Sequence, residues 1–220
     1  MFERSRVLLE EYYYLMLSKG IPKRAEHMLH EVRVRLLTLH WLHARLVELD
    51  RKLEREYREL ERESRESKQP GAAEPDFVKV IYTNMARPTY PGYEAAKLPF
   101  TTPDELRLLL EAFYYSAHRV RDIFRDSAAE LPGLSKFEAA GIRNVRNHLV
   151  QHPGGPSGVL VYSFAVGGPL GPQLKPITWS GDPLGTQDQG LHRNAEEFEG
   201  ALNATLDRAI NDIRSALEPA

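Results

Sequence analysis

"LHEVRVRLLTLHWLHARLVEL", residues 29–49, decides the fold. Leu29, Val32, Leu36, Leu39, Leu46 and Leu49 recur at threes and fours, and the seam continues through Leu53, Tyr57 and Leu60. That is the repeat of one face of an α-helix, where a strand would alternate. The stretch sits inside 23–69, which holds neither glycine nor proline. A continuous helix of that length spans roughly 70 Å at 1.5 Å per residue. Its second half, "RKLEREYRELERESRESK" (51–68), mixes arginine and glutamate nearly evenly, the pattern of a solvated helix laced with i,i+4 pairs. The pattern predicts that 50–69 is a charged helix end that projects from the body or zips against a second copy.

Working outward, a first helix is expected over 2–19, with Gly20 and Pro22 as punctuation. Its "EYYYLML" (11–17) is apolar over a wide arc, which predicts burial between neighbours. Residues 70–100 are rich in proline and glycine and read as a connection with little regular structure. "TTPDEL" (101–106) then starts a helix: Thr102 as N-cap, Pro103 at the first position, Glu105 closing a capping box. Leu106, Leu109, Leu110, Phe113, Ala117, Val120, Ile123 and Phe124 form its apolar face, and Leu131-Pro132-Gly133 is expected to end it. Ser135 and Glu138 suggest a second capping box and a helix over 135–152. "GVLVYSFAV" (158–166) and "QLKPITW" (173–179) flank "GGPLGP", which reads as a β-hairpin with an irregular loop. A last helix is expected over 190–217, with Leu191, Ala195, Phe198, Leu202, Leu206, Ile210, Ile213 and Leu217 on one face.

The expectation is a mainly α, single-domain protein over 1–220. It is an antiparallel bundle of about five helices, one very long, with a small hairpin near 158–180 inside an insertion at 153–185. The 220 residues suffice for a real core, and 42% hydrophobic with 27% charged residues is ordinary for a globular protein. Cysteine is absent, which removes disulfides, thiolate nucleophiles and cysteine-held metals. The formal charge of −2 supplies no global basic field, so any RNA site must be a local patch. The N-terminus is charged from the start, and no run approaches the ~18 apolar residues of a membrane span. A cytoplasmic protein without a membrane partner is expected.

"GIRNVRNHLVQHPGG" (141–155) concentrates the polar chemistry at one helix end. Arg146-Asn147 is followed by His152 with five residues between arginine and histidine; Arg143-Asn144 is followed by His148 with four between. The gap alone carries little, since Arg24/His30, Arg33/His40 and Arg35/His40 also satisfy it. Context separates the later pairs: asparagine directly follows each arginine, and the helix breaks at Pro-Gly-Gly. Gly141, costly in a helix interior by about 1 kcal/mol, hints at close packing beside them. The plain alternative is a polar helix terminus, where Arg and His complement the carbonyl end of the dipole.

An arginine, a polar residue and a histidine so spaced near a helix end of a small bundle resemble the HEPN superfamily. The resemblance rests on these few residues and on helical class, and covers neither the hairpin nor the charged helix. Members include metal-independent ribonucleases, toxins and inactive binding modules. The resemblance implies RNA binding or metal-independent RNA cleavage with no cofactor, at a cleft between two protomers. Arg146, Asn147 and His152 are then the first catalytic candidates, and Arg143 and His148 the alternative register. Histidine has the pKa to take the 2′-hydroxyl proton, and arginine offers a planar fork of donors to the phosphoryl oxygens. Lys136, Arg143 and Arg146, with Arg119, Arg121 and Arg125 on the neighbouring helix, would supply the local charge. Arg146 and His152 point apart on an ideal helix and converge only if it unwinds before Pro153.

His148 and His152 are also an H-x-x-x-H pair at metal-ligand spacing. A histidine from "HMLH" (27–30) or "HWLH" (40–43) brought beside them would resemble the DinB-like metal-dependent bundle enzymes. No acidic residue lies within the pair, and no Glu-x-x-His is present. His30 and His40 are expected to be partly buried, His27 and His43 solvated. A third possibility is a non-catalytic helical interaction module with a protein partner. The long seam predicts a homodimer.

Overall fold

The structure, a computed structural model, describes residues 1–66, 102–151, 161–164, 174–177 and 191–216. Among them are five helices: α1 (Glu3–Lys19), α2 (Lys23–Glu66), α3 (Thr102–Ser127), α4 (Ala140–Gln151) and α5 (Leu191–Ser215). The mainly α architecture stands. The leucine seam of α2 is why. Leu29, Val32, Leu36, Leu39, Leu42, Leu46 and Leu49 are all buried, and α3 is the helix that covers most of that face. Its own repeat answers with Leu110, Phe113, Ala117, Val120 and Phe124. Arg45 donates to Glu105 (Nε 3.0 Å, Nη2 2.8 Å) near one end of the pair, and Arg119 donates to Glu31 (Nε 3.1 Å) near the other. The two pairs run in opposite chain order, so α2 and α3 are antiparallel.

Up to Leu49 the seam is consumed by the chain's own core. Beyond Leu49, Arg51, Lys52, Arg55 and Arg62 are exposed on α2, while the side chains of Leu53, Tyr57 and Leu60 lie outside those described.

α1 is antiparallel to α2, with Arg33 bound to Glu10 at 3.0 Å, and parallel to α5. Ser5 donates to Asn203 (2.7 Å), and ion pairs Arg4–Asp207 (2.9 Å) and Arg214–Glu11 (2.5 Å) follow along the two helices. The wide apolar arc of 11–17 packs between neighbours, with Tyr13 and Leu15 partly buried against the core. Leu9, Tyr12 and Met16 are buried, but Tyr14 is 65% exposed and Val7 and Leu17 also face outward, because α1 packs chiefly on α2 and α5. Phe2 precedes the helix at φ 68°, a left-handed conformation that is strained for a bulky residue. Its fully buried ring sits between Phe113 and Phe198, at centroid distances of 6.3 and 6.0 Å, which offsets that strain.

Two boundaries differ from expectation. α3 ends at Ser127, whose carbonyl accepts from the amides of Glu130 and Leu131; residues 128–133 are turns rather than the last helical stretch. α4 starts at Ala140, not at 135, and 134–139 are irregular. The Ser135/Glu138 box is replaced by remote partners. The Ala140 amide donates to Glu197 of α5 (2.8 Å), while Glu138 turns to cations of α3, α4 and the joining segment. Glu105 likewise serves Arg45.

Within the expected hairpin and insertion, only two short strands are described. β1 (Val161–Phe164) and β2 (Leu174–Ile177) pair antiparallel, with Val161 opposite Ile177. The rest of 153–185, the connection 70–100, and Leu217 of the expected last helix lie outside the described residues. Among the described residues no helix is long and apolar enough to cross a membrane.

Candidate functional site

On α3, His118, Arg121, Asp122 and Arg125 fall at i, i+3, i+4 and i+7 and so share one face, while Ala117, Val120, Ile123 and Phe124 hold the opposite face in the core. On α4, Ile142 and Val145 are buried, which turns Arg143 and Arg146 away from the core. With Lys136 from the segment between the helices, these side chains line a pocket of about 380 Å³. Five cations and one carboxylate, Asp122, form its wall.

The side chain of Arg121 is only 6% exposed. Its Nε donates to the Phe137 carbonyl (3.3 Å) and its Nη2 to Glu138 (3.2 Å). Burial pulls its pKa down, opposed by Glu138 and reinforced by Arg143. Glu138 also receives Lys136 (2.9 Å) and Arg143 (3.3 Å), so three cations converge on one half-exposed carboxylate. Lys136 first, then the two arginines, hold that carboxyl below its ordinary pKa. Arg125 is shared between Asp126 (2.9 Å) and Asp122 (3.1 Å). Guanidinium forks grouped in this way have the geometry to meet the acceptor oxygens of a phosphate.

His118 closes the pocket beside Asp122, with Nδ1 3.1 Å from Oδ2 and a side chain 13% exposed. A carboxylate only accepts, so Nδ1 carries the proton and Nε2 is left as an acceptor. Burial lowers the His118 pKa, and Arg146 and Arg121 push the same way against Asp122. The balance of these effects favours the neutral imidazole.

Of the residues singled out by sequence, Arg143 and Arg146 line the pocket together with Lys136, Arg121 and Arg125. Arg119, expected in the same group, instead pairs with Glu31 on the α2 side. Asn147 and His148 lie on α4, but their side chains fall outside those described, and His152 lies outside the described residues altogether. Gly141 has the close neighbour its cost implied: a Cβ there would be driven into the Asn194 carboxamide, with Cγ 2.6 Å away. Asn194 is buried on α5 and donates to the Tyr114 hydroxyl at 2.9 Å, so α3, α4 and α5 meet at this point. The His118/Asp122 pair was overlooked, although "HRVRD" (118–122) carries its i,i+4 spacing openly.

The other arginine–histidine spacings go elsewhere. Arg24 binds Glu130 (3.2 Å), Arg33 binds Glu10, and Arg35 approaches Glu31 (3.8 Å). The long-helix histidines also scatter. His27 and His30 are exposed, which corrects the expectation of a partly buried His30. His40 Nδ1 lies 2.8 Å from the Met1 carbonyl. His43, expected to be solvated, is half-buried beside His192 of α5 (3.5 Å), and burial first, then His192, lowers its pKa to about 4. Among the described residues no group of three His, Asp or Glu side chains is placed to hold a metal.

Compared with known protein families, characterised proteins and solved structures, the chain gives no match.

Proposed function

We propose that the pocket between α3 and α4 binds the phosphate backbone of RNA, and that the chain cleaves RNA there without metal. The observation that carries this is the convergence of Arg121, Arg125, Lys136, Arg143 and Arg146 on one pocket in a chain of net charge −2. The HEPN resemblance supplies the reaction. The substrate's own 2′-hydroxyl attacks the adjacent phosphorus, arginine forks take up the growing charge, and Arg146, Asn147 and His152 act at the α4 end, with Arg143 and His148 as the other register. In this reading two copies present their pockets to one cleft and no cofactor takes part.

The test is binding of a single-stranded RNA oligonucleotide, followed by fluorescence anisotropy, to the wild type and to an Arg143→Ala, Arg146→Ala double variant. Each phosphate-directed arginine contributes on the order of 1–2 kcal/mol, so the double variant should bind at least about tenfold more weakly. Cleavage should survive EDTA, leave a 2′,3′-cyclic phosphate and spare DNA. Equal binding by the two proteins removes the pocket as the RNA site.

A second reading, a non-catalytic interaction module, draws on Val34, Leu37 and Trp41. They stand exposed at i, i+3 and i+7 of α2, an apolar stripe outside the core seam. The same stripe gives the homodimer a surface that the buried seam does not.

A further inference from the structure

We infer that His118 is the general base of the cleavage reaction, with Asp122 as its positioning residue. The inference rests on the RNA-cleavage reading above and goes beyond it by naming a base on α3 rather than at the end of α4. His118 lines the same pocket as Arg143 and Arg146, and Asp122, 3.1 Å from Nδ1, fixes the tautomer that leaves Nε2 unprotonated. Arg125 holds the other oxygen of Asp122 at 3.1 Å, so the orienting carboxylate is itself held. A base, an orienter and a cationic cradle for the reacting phosphoryl group are the parts that metal-free transesterification needs.

The step balances without any further reactant. Nε2 takes the proton of the 2′-hydroxyl as O2′ forms its bond to phosphorus. The P–O5′ bond breaks, and the departing O5′ takes a proton from water. The products are a 2′,3′-cyclic phosphate and a 5′-hydroxyl, and the imidazolium returns its proton to solvent. Asp122 and Arg121 from α3 and Arg146 from α4 are the charged groups that act on the imidazole, with Arg125, Lys136 and Arg143 completing the pocket wall. The two arginines and burial outweigh the carboxylate, which keeps the base unprotonated at neutral pH.

Cleavage of a fluorescent RNA and binding of its 2′-O-methyl analogue, which lacks the attacking hydroxyl, separate chemistry from binding. His118→Gln should bind the analogue within about twofold of wild type while cleaving ~10²–10⁴-fold more slowly. In wild type, kcat/KM should rise with pH through a limb centred below the ordinary histidine pKa of about 6.5. Asp122→Asn, which removes the group that raises the His118 pKa, should move that limb further down and lower the plateau. A limb that stays in place would mean that Asp122 does not act on the His118 imidazole, and that result overturns its positioning role. Cleavage by His118→Gln at the wild-type rate overturns the inference. So does a wild type that binds the analogue but leaves RNA intact, while binding by the pocket would still stand. A wild type that binds no RNA removes both.

Discussion

Gly141 and Gly200 are both helical glycines, yet their environments give alanine opposite effects. Alanine gains about 1 kcal/mol of helix propensity in a helix interior such as Gly200, and less at Gly141 in the first turn of α4. At Gly200 a Cβ meets nothing within 4 Å, so Gly200→Ala should stabilise by about 0.5–1 kcal/mol. At Gly141 the methyl displaces the Asn194 carboxamide, and with it the 2.9 Å bond to Tyr114. Overpacking of this kind costs about 1–3 kcal/mol, so Gly141→Ala should be net destabilising in urea melts. Equal shifts for the two would mean that α4 does not pack on Asn194. His43 adds a pH dependence. Its pKa is lowered to about 4 in the fold by burial, with His192, the N-terminal amine and His40 adding repulsion. The unfolded chain takes up that proton near 6.5, so the stability contribution is complete above that pH and is lost progressively as pH falls towards 4. Between pH 7.5 and 5 the wild type should lose about 1 kcal/mol more than His43→Gln, allowing for partial exposure of the ring, and thermal melts at the two pH values measure it. At this scale the sequence was half legible. Arg143 and Arg146 stood out through their context, whereas His118 and Asp122 look like any i,i+4 pair until α4 brings two arginines beside them.

Helices α2, α3 and α5 were readable because each carries an unbroken apolar repeat, and the repeat is what the core consumes. Leu36 and Leu37 test this within one element. Leu36 is fully buried, so Leu36→Ala should cost about 2–5 kcal/mol, while Leu37→Ala on the exposed side should fall within about 0.5 kcal/mol of wild type. Similar losses at both positions would mean that α2 is rotated relative to its seam. Helix ends were harder to read, since capping boxes are local patterns and their carboxylates here serve distant partners. Glu105 answers Arg45 sixty residues away in the chain, and the start of α4 is met by Glu197 rather than by its own Ser135 and Glu138. The arc of α1 shows how far such a pattern reaches. Of three consecutive tyrosines, Tyr12 is buried with its hydroxyl on the Pro132 carbonyl, Tyr13 packs partly buried against the core, and Tyr14 looks outward.

For the molecule as a whole, charge and assembly are linked. A chain of net −2 offers RNA little long-range attraction, so on the proposed reading affinity has to come from phosphates seated in the pocket, each releasing counterions. For single-stranded RNA the slope of log K against log salt is about −0.7 per neutralised phosphate, so three to five contacts in one pocket give roughly −2 to −3.5. Lys136→Ala should weaken binding similarly across RNA sequences and make that slope shallower by about 0.7. If two copies share a cleft, light scattering at micromolar concentration should give twice the 25.1 kDa of one chain. A long RNA that reaches both pockets should then show about double the slope of a short one. Replacing Trp41 with Glu on the exposed stripe of α2 should return the mass to one chain and the long-RNA slope to the single-pocket value, with α2's buried seam untouched. A monomer in the wild type removes the shared cleft. A slope near zero in either protein would mean that RNA, if held at all, is not held by its phosphates, and the basic pocket would lose its claim to the backbone.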